Sequence, residues 1–255
     1  MRTQTSWTFS PDEFAWVWAS ETGLAGDYPH PLKIIETPTT AIESDRIRAE
    51  ISERYPAHAD PDLIGPLRAL ANPDLRIICN GAFDNSTRQI RSHAAAVADL
   101  GVILFQKSGR TADFGGDVQM VVTTRRQLGK HIAATMPSAP AGAAAGMTGN
   151  TARVRGDEPP SSWLRNNAGQ LPVEERIRIL LRAQRTAQGY LRIDRYLHDR
   201  NPHPSAFISW IDVAESSRAR GRYIIDVGDN DTIVVPASAE VVAGELHRRA
   251  ELDHI

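Results

Sequence analysis

Residues Gly221 to Arg249 read GRYIIDVGDNDTIVVPASAEVVAGELHRR, a stretch in which every boundary between elements is marked. Tyr223 to Val227 and Thr232 to Val235 are rich in β-branched residues. Gly228-Asp229-Asn230-Asp231 between them has the composition of a turn, because Gly and Asn tolerate positive φ. A β-hairpin follows. Pro236 ends the second strand, Ser238 is placed to cap the next amides, and Glu240 puts negative charge in a first helical turn, where the macrodipole favours it. The helix that results points Val241, Val242 and Leu246 inward and closes on His247, Arg248 and Arg249. The Asp229-Asn230-Asp231 tip lacks the later bidentate Glu of a calcium loop and reads as a turn.

Upstream, Leu75 to Cys79, Ile90 to Ala98, Val102 to Gln106 and Val118 to Thr123 read as strands, although the alanines of His93 to Val97 leave a helix open there. Arg125 to Met136 follows as a helix with Leu128, Ile132 and Met136 at helical spacing. In the second half, Leu171-Pro172 opens a helix carrying Ile177, Leu180 and Leu181 inward and ending at Gly189. Strands at Tyr190 to Tyr196 and Ala206 to Val213 come next, and then the hairpin and helix. The two halves share this order. LRIIC at 75–79 sets against YLRID at 190–194, IRSHAAAV against FISWIDV, VILFQ against YIIDV, VQMVVTT against TIVVPAS, and LGKHIAATM against VVAGELHRR. An internal duplication is one reading, and chance agreement between two α+β halves is the other.

Ahead of the first strand, Phe9-Ser10-Pro11-Asp12-Glu13-Phe14 carries a capping box, Pro at N1 and an apolar staple, which predicts a helix to about Glu21. Leu32 to Ile35 is compatible with a short strand after the extended Tyr28-Pro29-His30-Pro31. Thr40 opens a second helix with Ile47 and Ile51 inside, and Asp60-Pro61 opens a third with Leu63, Leu67 and Leu70 on one face. Pro137 to Ser162 is poor in large apolar residues. The organisation expected is therefore an α+β half over 1–136, a flexible linker or loop over 137–162, and a second α+β half over 163–255.

At 255 residues the chain can bury a sizeable core, and 41% hydrophobic with 24% charged residues is ordinary for a globular protein. A net charge of −2 gives no long-range pull on nucleic acid or on an anionic membrane, so neither is expected as a partner. The single cysteine, Cys79, excludes an intramolecular disulfide. With no signal-type opening in MRTQTSWTFS and no apolar run approaching ~20 residues, a cytoplasmic protein is expected. A search for chemistry finds no assembled constellation. His198 and His203 are too few for a metal site, Gly109 to Gly116 is not followed by the Lys-Ser/Thr of a phosphate loop, and Cys79 sits mid-strand among apolar neighbours. Glu174-Glu175 lies in a first helical turn, where the dipole accounts for it. No enzyme, cofactor or metal is expected. Trp210 alternates with Ile211 on a strand, so one of the two is expected to face outward.

WTFSPDEFAWVWASETGLAGDYPHPLKI at 7–34, RIICNG at 76–81, the hairpins and the closing strand–turn–strand–helix resemble the EspG family of actinobacterial chaperones associated with type VII (ESX) secretion. The resemblance spans the chain outside the 137–162 segment. It implies an α+β fold of two quasi-two-fold-related halves, each with an antiparallel sheet and helices, forming one compact molecule. It also implies a cytosolic, non-enzymatic chaperone that binds the apolar tip of a PE–PPE client or a WXG-type helical hairpin, keeps it soluble and marks it for its own system; a homodimer is left open. The binding surface it implies comes from the central sheet, a loop between early strands and the C-terminal helices. Here that is Arg76, Asn80, Gln119, Arg192 and Asp194 on outward sheet positions, Asp84, Asn85 and Arg88 in or beside the loop from Asn80 to Thr87, and Trp210.

Overall fold

A computed structural model describes residues 5–37, 40–159, 171–200 and 203–253. Among these, ten strands form one antiparallel sheet: β1 (Ser6–Phe9), β2 (Leu75–Phe83), β3 (Gln89–Val97), β4 (Leu100–Ser108), β5 (Gly115–Thr124), β6 (Met147–Asn150), β7 (Arg185–Asp194), β8 (Ala206–Val213), β9 (Gly221–Val227) and β10 (Asp231–Pro236). Their order is β1-β5-β4-β3-β2-β7-β8-β9-β10-β6, so each half has the same layout read outward from the centre. The halves meet where β2 pairs with β7, from Arg76 opposite Asp194 to Phe83 opposite Ala187.

The helices are α1 (Pro11–Thr22), α2 (Ala41–Arg54), α3 (Pro61–Ala71), α4 (Leu128–Thr135), α5 (Thr151–Arg155), α6 (Val173–Leu181) and α7 (Ala239–Arg249). The Ser10 capping box is formed in full: Ser10 Oγ accepts from the Glu13 amide at 3.2 Å and Glu13 accepts from the Ser10 amide at 2.8 Å. Ser238 caps α7, its Oγ accepting from the Val241 amide at 3.3 Å. In α7, Val242 and Leu246 are buried as expected, but Val241 points to solvent.

Strand alternation divides the side chains into two faces. On one face, Leu75, Ile77, Leu191, Ile193, Ile208 and Trp210 pack under Leu128 and Ile132 of α4 and Val242 and Leu246 of α7. The opposite face is covered only toward its ends. At the first, Trp7, Phe9, Val102, Leu104 and Met120 meet α1 and α3 through Phe14, Trp18, Leu63 and Leu67. At the second, Ile211, Tyr223, Ile225 and Val234 meet Val154 of α5 and Ile177 and Leu180 of α6. Each such buried aliphatic or aromatic side chain contributes about 1.5–3 kcal/mol.

Several expectations change. Gly189 does not end a helix: α6 stops at Leu181, and β7 starts at Arg185, held as a strand between β2 and β8. The 137–162 segment is partly built into the sheet, since Met147–Asn150 pairs with β10 and Thr151–Arg155 is helical. Its residues 160–162 lie outside the described residues. Backbone pairing together with two buried apolar side chains, Met147 and Val154, holds this edge, a signal too sparse for composition to reveal. Ile90 to Val97 is a strand despite its alanines, because pairing on both sides selects it. Leu32 to Ile35 forms no strand. Instead Gln106 imitates a backbone partner, accepting from the Lys33 amide and donating to the Lys33 carbonyl, both at 2.9 Å. In α2 no residue is buried, and Ile47 and Ile51 line a cavity of about 240 Å³ with Ala15, Trp16 and Ala19 of α1.

Trp210 and Ile211 are both buried, because both sheet faces are covered at β8 there. The Trp210 indole lies over Gly81 and Gly189, which are directly opposite each other in the β2–β7 ladder. A Cβ at Gly189 would sit 2.8 Å from the indole and 2.2 Å from the Asn80 carbonyl oxygen. Gly189→Ala is therefore expected to lower stability in urea by about 3 kcal/mol through overpacking, and a midpoint equal to wild type would contradict the packing described.

Candidate functional site

Between the two helical layers, β2, β7 and β8 present Arg76, Asn80, Tyr190, Arg192, Asp194, Phe207 and Ser209 on one uncovered face, as their register requires. The segment before α2 forms one wall. The His93 ring, 2% exposed beneath it, donates from Nδ1 to the His30 carbonyl at 2.7 Å, and the His30 ring reaches the Tyr190 hydroxyl at 3.1 Å. Asn80 Nδ2 donates to the same hydroxyl at 3.3 Å. A shallow depression of about 500 Å³ continues from here past Ala82, Gln89, Gln188 and Ser209. The exposed apolar group in this face is Phe207, 54% exposed, with its ring centroid 6.4 Å from that of Tyr190.

The electrostatic centre is Asp194. Its Oδ2 accepts from Arg76 Nε and its Oδ1 from Arg192 Nε, both at 2.8 Å, while Ser205 Oγ donates to Oδ1 at 2.5 Å. Burial alone would raise this carboxyl, but the bonds from Ser205, Arg192 and Arg76 outweigh it and hold the group below its ordinary value. His30 is lowered first by burial and then by Arg192, Lys33 and Arg76. Burial pushes His93 down to about 4, and among the described residues no partner reaches its Nε2. Charged groups that satisfy one another, beside an aromatic pair, suit recognition of a surface better than proton transfer.

The structure brings together Arg76, Asn80, Arg192 and Asp194 as expected, although Asp194 is 3% exposed and so acts by holding the arginines. Asn80 belongs to β2; the connection is only 84–88, where Asn85 has φ of 51° and the Asp84 amide donates to the Thr186 carbonyl at 2.9 Å. Arg88 leans toward the other face, with its guanidinium 4.2 Å from the centroid of Phe83. Gln119 is exposed on β5, but its register with Phe105 puts it on the opposite face and three strands away. Trp210 is fully buried under α4 and α7, on the face opposite Arg192. The sequence reading omits Tyr190 and Phe207: alternation along β7 puts Tyr190 on the Arg192 face, whereas Phe207 is placed there only by the β7–β8 register. Elsewhere, Cys79 is buried and pushed up to about 12, an unreactive thiol. His198 Nε2 lies 3.3 Å from Asp74 Oδ1, the His203 ring packs tilted against Tyr196, and no metal-holding group of three His, Cys, Asp or Glu occurs among the described residues. No helix among them is long and apolar enough to cross a membrane.

Both buried groups make the same prediction for acid. An unfolded His93 would protonate near 6.5 while the folded ring resists to about 4, so stability is full above 6.5 and falls by about 3 kcal/mol toward pH 4. The depressed Asp194 adds a loss in the same direction as pH falls below the ordinary carboxylate range. Urea titrations at several pH values check this, and His93→Phe should flatten the loss between pH 6.5 and 4. An equal slope in that variant would contradict the assignment.

No curated protein matches the chain. Among solved structures, the Mycobacterium tuberculosis type VII secretion system chaperone EspG5, in complex with a PE25–PPE41 dimer, shares the fold with a TM-score of 0.60 at 14% identity, over 94% of each chain. The family model described as the EspG family matches residues 10–248, nearly the full length, and the chain belongs to that family.

Proposed function

We propose that this protein is a non-enzymatic chaperone of type VII secretion, and that its uncovered central sheet face grips the end of a helical PE–PPE-like client before export. The observation that carries the reading is the open face of β2, β7 and β8 between the two helical layers, with Phe207 exposed on it beside Tyr190 and Arg192. An exposed aromatic beside Arg192 and Ser209, with Asn80 and the Arg76–Asp194 pair on the same face, has the make-up of a recognition patch: an apolar group with polar groups that set orientation. Membership of the EspG family supports this reading, as does a fold shared with a chaperone solved with a PE25–PPE41 dimer. Acting in the cytosol, such a protein shields the client tip from aggregation and distinguishes one secretion system from another. A WXG-type helical hairpin offers a similar narrow end and is the second client to try.

Co-expression with PE–PPE-like pairs from the same genome is expected to give a complex that survives size exclusion. Phe207→Ala should weaken it by about 2 kcal/mol, near thirtyfold in Kd, with little change in the melting temperature because the ring is largely exposed. Failure of every such pair, and of WXG-type pairs, to form a complex would sink the reading.

A further inference from the structure

The bonding of Arg76 and Arg192 leaves a specific part of each guanidinium unused. Both arginines reach Asp194 through Nε alone, and among the described residues no bond engages their Nη1 and Nη2 atoms. Their side chains are 34% and 36% exposed, whereas that of Asp194 is 4% exposed. One buried carboxylate thus braces two cations that flank it, and the free edge of each is the two-pronged edge that matches a carboxylate. Two positive charges stand against one negative. The field agrees with the count, since Arg192, Lys33 and Arg76 all act to lower His30 in the neighbouring wall. This is a positive centre in a chain whose net charge is −2. Arg192 also lies 5.8 Å from the centroid of Phe207, so any group that meets its free edge lies beside an exposed aromatic ring.

We infer that the centre of the groove is a carboxylate-recognition site: an Asp or Glu side chain at the client tip docks on the free guanidinium edges of Arg76 and Arg192 while an adjacent apolar side chain covers Phe207. The inference rests on the chaperone reading and sharpens it, because it specifies an acidic residue next to an apolar one as the mark of a client. Asp194 and Ser205 are positioning residues. They fix the two forks before the client arrives, so little side-chain entropy is lost on docking.

Arg76→Lys and Arg192→Lys test this, since lysine keeps the charge and the ion pair with Asp194 but offers a point charge in place of a fork. Calorimetric titration of each variant with the PE–PPE-like pair that co-purifies with wild type is expected to show Kd raised about tenfold, with a dependence on salt and melting temperatures close to wild type. Exchanging the acidic tip residue of the client for its amide should produce a similar loss, and combining it with Arg192→Lys should add little more. A complex that forms with wild-type affinity in both lysine variants overturns carboxylate recognition alone. A wild-type protein that forms no complex with any client overturns the chaperone reading, and this inference with it.

Discussion

The antiparallel ladder between β2 and β7 is the constraint on which the rest of the molecule depends. It turns two four-strand cores with short outer edges into a single sheet, and it fixes in one step which side chains share a face. Gly81 meets Gly189 there, which gives the Trp210 indole a place to lie flat beneath α4 and α7. Arg76 meets Asp194 on the other face of the same ladder, one hydrogen-bonded register away from Arg192. A slip of one residue would send every one of these groups to the wrong side. The glycine pair, the arginine pair and the buried tryptophan are thus consequences of one alignment.

Coverage of the two faces is unequal, and that inequality is where function enters. The two helices α4 and α7 pack on the same central apolar surface, so that face is closed at the junction. The helices of the opposite face pack toward the outer strands and leave the junction open. An open strip of sheet must be soluble, which accounts for Arg76, Asn80, Arg192 and Ser209. Solubility does not account for Phe207, more than half exposed, at the same level. The buried pair Arg222 and Asp212 holds the far side of the molecule: Arg222 Nε donates to Asp212 at 2.7 Å and its Nη2 reaches the Pro137 carbonyl at 2.6 Å. That bond ties the segment after α4 to β9 and so leads the chain toward the β6 edge.

The parts of this fold legible in the sequence were those with local causes. The closing hairpin, the Ser10 and Ser238 caps and the repeated order of strands and helix follow from turn composition, capping chemistry and periodicity within a few residues. Registers have no local cause. For that reason Gln119 and Arg76 look equivalent in the sequence, and nothing local places Phe207 beside Arg192; Tyr190, two residues from Arg192 on one strand, is legible from alternation alone. The β6 edge is hidden for a related reason, since in MTGN a single buried side chain, Met147, adds to the backbone partners that β10 offers. Only the paired sheet separates the residues that face the groove from those that lie beneath it.

The account stands or falls on which face of the sheet a client covers. Hydroxyl-radical footprinting distinguishes the two, because Phe207 on the open face and Val241 and Ile233 on the helix-covered side are all substantially exposed in the free protein. On addition of a PE–PPE-like client, Phe207 and Tyr190 are expected to lose reactivity while Val241 and Ile233 keep theirs. Protection of Val241 and Ile233 with Phe207 as reactive as in the free protein would contradict it.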